Sequence, residues 1–95
     1  MLSEEKSSHH GSVHYNNLIF LARQYYLVNN ISNVTLILEE IESKPIPKNE
    51  HFLIIKAEFL FDKKDYINAA HYCHETLNLN PYFLGAHLLL CNIYL

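Results

Sequence analysis

The chain has 95 residues, 49% of them hydrophobic and 18% charged, enough for one soluble domain with an ordinary core. Its seven Lys and Arg are scattered and its net charge is -3, so there is no clustered basic surface to hold phosphates and nucleic acid is excluded as a partner. The start, Met1-Leu2-Ser3-Glu4-Glu5-Lys6, is acidic and polar where a secretion signal would be basic and then apolar. The longest apolar stretch, residues 83–95 with His87 and Asn92 inside it, is shorter than the roughly 20 residues that cross a bilayer. The expectation is an intracellular protein, cytoplasmic or nuclear, with reduced cysteines and no membrane partner. The sequons Asn30-Ile31-Ser32 and Asn33-Val34-Thr35 then carry no glycan.

Residues 1–12 are Ser, Glu, Lys and His with almost nothing to bury, and a disordered tail is expected there. A first helix is predicted over 13–28, with Leu18, Leu21, Ala22, Tyr25 and Val28 on its inner face at steps of three and four. Asn29-Asn30 makes a turn, because Asn tolerates the left-handed conformation that ends one helix and can cap the next. The second helix covers about 31–43, with Val34, Leu38 and Ile41 inward. Lys44-Pro45-Ile46-Pro47 is a linker, since each proline lacks an amide donor and disfavours helix in the residue before it.

A third helix is predicted from about Asn49 to Phe61, followed by the turn Asp62-Lys63-Lys64-Asp65, with Asp65 placed to accept from the amides of a fourth helix. That helix carries Tyr66, Ala69, Cys73 and Leu77 inward. Asn80-Pro81 ends it and starts a fifth, which runs to the end of the sequence. Ile, Val and Phe are frequent enough in 34–41 and 52–60 for strands on propensity alone. Helical spacing, linker lengths and a repeat period decide for helices.

The period is 34 residues: Leu53, Lys56, Ala57 and Leu60 recur as His87, Leu90, Cys91 and Tyr94, and Leu21, Ala22 and Tyr25 form an upstream copy offset by 35. A helix pair repeated at this length is a solenoid signature. Residues 50–83 resemble a tetratricopeptide repeat, with Leu53 as the large residue, Ala57 as the small one, Leu60 in place of the usual Tyr, then Tyr66, Ala69, Cys73 in place of an aromatic, and Pro81 closing the unit. The resemblance implies an all-α, TPR-like α-solenoid of antiparallel helix pairs. It has five helices and about two and a half repeats within 13–95, at approximately 15–49, 50–83 and an incomplete 84–95. Lys64 stands at the turn site where that family has glycine; a left-handed Lys costs about 1 kcal/mol.

Family members hold partners in a groove lined by their first helices. By resemblance the lining here is Ile19, Phe20, Arg23 and Tyr26, then Ile54, Glu58 and Phe61, then Leu88, Leu89 and Asn92. Members that capture a chaperone's C-terminal carboxylate use Lys, Arg and Asn at such places. Here Ile19, Glu58 and Leu88 stand there, only Asn92 remains, and Glu58 repels an acid. An apolar groove of this kind suits a hydrophobic protein or peptide segment, or a second copy of a repeat domain in a homodimer.

Seven histidines raise the question of a metal, with His71, Cys73 and His74 on the fourth helix and His87 and Cys91 on the fifth. Both cysteines fall on packing positions of the repeat, where a thiol serves as a small apolar side chain, so no metal and no cofactor is expected. His9, His10 and His14 belong to or border the polar start. With no phosphate loop, nucleophile elbow or isolated carboxylate pair, no catalytic residue is assigned and the chain is not read as an enzyme.

The fifth helix is apolar nearly all round, which implies burial on more than one side and either a longer solenoid or cover from another chain. The functional expectation is a scaffold or adaptor. Residues 64–72 resemble repeats in the tetratricopeptide subunits of the anaphase-promoting complex, a ubiquitin ligase whose repeat subunits dimerise. The alternative is a regulatory or targeting module attached to a catalytic or membrane-anchored domain beyond Leu95.

Overall fold

A computed structural model of the chain describes the backbone of residues 2–45 and 47–95, and side chains from Tyr15 onward except that of Ile46. The fold is all-α: α1 (Leu2–Leu27), α2 (Ile31–Glu42), α3 (Glu50–Asp62), α4 (Tyr66–Leu79) and α5 (Leu84–Tyr94), with no strand among the described residues. Two compact units divide it, Met1–Pro45 with α1 and α2, and Ile46–Leu95 with α3, α4 and α5.

In the first unit α1 packs on α2. The helix begins at Leu2 rather than near residue 13. A polar stretch can still be helical, because adding residues to an existing helix is cheap compared with nucleating one, and Gly11 is the only strong breaker in residues 2–12. The buried side of α1 is Tyr15, Ile19 and Ala22. It is rotated from the expected stripe, since Leu21 and Val28 are exposed, and Leu18 and Tyr25 are half-buried. Steps of three and four define two overlapping stripes in a helix this rich in Leu, Ile and Tyr, and the placement of α2 selects one. On α2 the expected Val34, Leu38 and Ile41 are fully buried.

The α1–α2 turn follows from two residues. Asn29 is left-handed at φ 61°, which lets its N–H donate to the Tyr26 carbonyl (3.0 Å) and the Asn30 N–H to the Tyr25 carbonyl (2.8 Å). This pair of bonds satisfies carbonyls that the end of a helix leaves open. Asn30 then caps α2, its Oδ1 accepting from the Asn33 N–H at 3.4 Å.

The α3–α4 turn repeats this bond for bond, 35 residues later. Lys64 is left-handed at φ 67° and donates to Phe61 (2.9 Å), Asp65 donates to Leu60 (2.9 Å), and the Asp65 carboxylate accepts from the Asn68 N–H at 3.4 Å. The second carboxylate oxygen holds the Asn68 amide at 2.9 Å. Asn49 caps α3 through the Phe52 N–H (2.9 Å) after the proline-bearing linker, of which Ile46 lies outside the described residues.

In the second unit α3 is buried on several sides, through Phe52, Leu53, Ile54, Ile55, Ala57 and Phe59. Its principal partner is α4, which presents Ala69, Ala70, Cys73 and Thr76. Tyr66 and Leu77 are more open than expected. Tyr66 is 43% exposed and meets the Phe61 ring edge-on at 5.4 Å, while Leu77 is half-buried. The small Ala70 and Thr76 take the inward places, because side chains of that size let α4 approach a face as bulky as that of α3. Thr76 enters the core at no polar cost, since its hydroxyl donates to the Tyr72 carbonyl at 2.8 Å.

The α4–α5 connection is held by Asn80, whose side chain accepts from the Tyr82 N–H (3.2 Å) and whose carbonyl accepts from the Phe83 N–H (3.0 Å). α5 packs on α4 and, less extensively, on α3. Only Ala86 and Leu89 of α5 are buried, so the helix is covered on one side and not on the several expected. Of its other apolar residues, Leu84, Leu88 and Tyr94 are exposed and Leu90 and Ile93 are half-buried.

Candidate interaction surfaces

The expected lining residues do not share one environment: each helix buries one of them, and only α1 and α5 present others outward. On α1, Ile19 is buried at 8% exposure, Phe20 stands out at 66%, and Arg23 and Tyr26 are half-buried with the guanidinium 5.8 Å from the ring centre. A cation over an aromatic face keeps both side chains on one surface and leaves the charge hydrated.

On α3, Ile54 is buried at 3% exposure, while Glu58 and Phe61 are half-buried. Phe61 is already engaged with Tyr66 across the turn. Glu58 lies close enough to Cys73 that its negative charge adds to the effect of burial, and together they push the thiol up from 9.0 to about 11. That thiol is a packing group and stays protonated at neutral pH. On α5, Leu89 is buried, whereas Leu88 and Asn92 are exposed.

Ile19, Ile54 and Leu89 therefore contribute to the core as they stand. The residues presented outward are Phe20 on α1, and Leu88 and Asn92 on α5. Within the second unit α3 and α5 meet where Ile54 approaches Gly85: a Cβ placed on Gly85 would lie 3.8 Å from Ile54 and 3.3 Å from Phe83. Phe83 also closes on His51 in an edge-to-face contact at 5.8 Å. His51, Phe83 and Gly85 are surface-shaping residues that the repeat pattern did not single out. The one available signal was the half-turn after Asn80-Pro81, which aims residue 83 back toward the preceding first helix.

The cysteines part company. Cys73 is fully buried, as its packing position implies. Cys91 is exposed, contrary to the packing role expected of it. The reason is positional: Ala57, 34 residues earlier, is buried with α4 as α3's principal partner, and no described helix lies over the same face of α5. A shallow depression remains there, lined by His87, Leu90, Cys91, Tyr94 and Leu95.

His71 and His74 are exposed while Cys73 points into the core, so the three do not converge. His71 instead meets the Tyr72 ring edge-on at 5.4 Å. His87 Nε2 donates to the Pro81 carbonyl at 2.8 Å and so serves the start of α5. Among the described residues no three His, Cys, Asp or Glu side chains are grouped to hold a metal ion, and no helix is long and apolar enough to cross a membrane. The side chains of His9, His10 and His14 lie outside the described residues.

No family model, no curated protein and no solved structure matches the chain.

Proposed function

We propose that this chain is a tetratricopeptide-type interaction repeat that holds a protein or peptide partner against the outward residues of its first helices. The observation that carries the reading is the repetition of the helical hairpin. The same left-handed residue, the same pair of carbonyl-satisfying bonds and the same side-chain cap recur 35 residues apart, at Asn29-Asn30 and Lys64-Asp65. Buried positions recur with them: Ile19, Ala22, Val34, Leu38 and Ile41 correspond to Ile54, Ala57, Ala69, Cys73 and Thr76. A chain that repeats a helix pair at this length supports an extended binding face rather than a pocket for chemistry.

The outward apolar residues supply the affinity. Burying one Leu or Phe is worth roughly 1.5 to 3 kcal/mol, so Phe20 in the first unit and Leu88 in the second would each contribute about that much to a contact of its own unit. Glu58, half-buried on α3, disfavours an acidic segment and favours an apolar or basic one. Phe20 is the residue to test, because its exposure lets it be changed without disturbing the core. Proximity labelling with wild type and Phe20→Glu should show partners lost in the variant while its thermal melt is unchanged. An unchanged partner set with a folded variant would count against the first-helix surface.

A further inference from the structure

We propose that the surface shared by α3 and α5 holds a partner segment that sets a Lys or Arg against Glu58 and an apolar side chain on Leu88. This rests on the first-helix reading above and names the class of partner within it: a protein segment with a basic residue beside an apolar one.

Both helices belong to the second unit, and two contacts fix their register. His51 meets the Phe83 ring edge-on at 5.8 Å, and further along, a Cβ placed on Gly85 would lie 3.8 Å from Ile54. The contacts advance in the same direction on both helices, so α3 and α5 lie side by side in parallel, each rising about 1.5 Å per residue. One turn beyond Ile54 and Gly85, Glu58 on α3 is level with Leu88 on α5. Steps of three and four keep these residues on adjoining faces. Leu88 is 55% exposed beside the buried Leu89, and Asn92, a further turn along, is exposed as well.

The charge on this face has one sign. α5 contains no Asp, Glu, Lys or Arg, while on α3 Glu58 is followed one turn later by Asp62. Like charges four residues apart on a helix repel, and a cation set against them relieves the repulsion. The neighbouring lysines are directed elsewhere: Lys56, two residues from Glu58, projects from the opposite side of the helix, and Lys63 lies over the Phe59 ring at 5.0 Å. Glu58 is half-buried, and its field reaches the core, where burial and then this carboxylate push the Cys73 thiol up from 9.0 to about 11. A partly buried charge is screened less than one in open solvent, so a Lys or Arg brought to Glu58 forms a strong charge-assisted bond. The apolar stem of that residue lies along the same surface as Leu88, which seats the neighbouring apolar side chain.

The probe is a library of random dodecapeptides displayed on phage and selected against the 95-residue chain. Wild type should enrich Lys or Arg beside Leu, Ile or Phe. Glu58→Gln should weaken binding of a selected peptide by about tenfold, the loss of one charge-assisted bond. Glu58→Lys should lose the preference for Lys and Arg, and Leu88→Ser should lose the apolar preference while keeping the basic one. Thermal melts report that each variant is folded. A purely structural Glu58 would lower affinity without changing which charge is selected. No enrichment of Lys or Arg by wild type, or the same enrichment by folded Glu58→Lys, overturns the proposal. Either result, alongside loss of labelled partners in Phe20→Glu, would leave the first-helix reading standing and overturn only the basic, apolar partner.

Discussion

The hairpins α1–α2 and α3–α4 share a turn and differ in how they fill the space beneath it. In the first, α1 buries Tyr15, Ile19 and Ala22, and α2 is bulky too, through Val34, Leu38 and Ile41. In the second, the bulk is on α3, through Phe52, Leu53, Ile55 and Phe59, and α4 supplies Ala69, Cys73 and Thr76. Val34, Leu38 and Ile41 are answered 35 residues on by the smaller Ala69, Cys73 and Thr76, while the backbone bonds of the turn stay the same. The turn thus depends on two residues and their local geometry, whereas the core requires only that opposing faces sum to the right volume.

The largest expected effect tests the bulk of α3 against the small face of α4. Phe52 is 1% exposed, and Phe52→Ala should destabilise the second unit by about 3 to 5 kcal/mol, read from the urea midpoint. The α4 face has only small side chains with which to relax into the space. A loss below about 1 kcal/mol would mean that the bulk of α3 is not what fills this hairpin.

The caps come next. Asn30→Ala and Asp65→Ala should each cost about 1 kcal/mol, because each removes the acceptor of one amide in the same geometry. Asp65 also loses its contact with the Asn68 amide, so its variant should be the worse of the two in parallel denaturation curves. Equal and negligible losses would show that the shared turn is held by its left-handed residue alone.

The smallest effect separates the two left-handed positions. Lys64→Gly should stabilise by up to about 1 kcal/mol, since glycine removes the Cβ clash at φ 67°. Asn29→Gly should gain less, because Asn accepts this conformation with little strain and glycine adds entropy to the unfolded chain. Thermal melts of the two variants give the comparison, and a larger gain at Asn29 would reverse it.

Much of this was legible in the sequence for a local reason. Caps and left-handed residues act over five or six positions, so Asn29-Asn30, Asn49 and Lys64-Asp65 mark helix boundaries wherever the chain goes afterwards. The inner face of α2 was legible too, because its apolar residues are few enough to define one stripe. α1 and α5 were not, since each carries more apolar residues than one face can hold. For them the choice between Ile19 and Leu21, or between Leu89 and Leu90, falls to whichever helix arrives.

The same distinction separates the two cysteines. Period and residue size assigned both Cys73 and Cys91 to packing sites, and sequence alone could go no further. Burial is a property of a neighbour as much as of a residue. α4 lies in the core of its unit and takes Cys73 inside with it, while α5 is covered along Ala86 and Leu89 only. The sequence by itself determined five helices, the turns that join them and the repeat that relates them. Tertiary structure decided which side of each helix is inside and left Cys91 at the surface, because the helix packing that hides one thiol is absent, among the described residues, over the other.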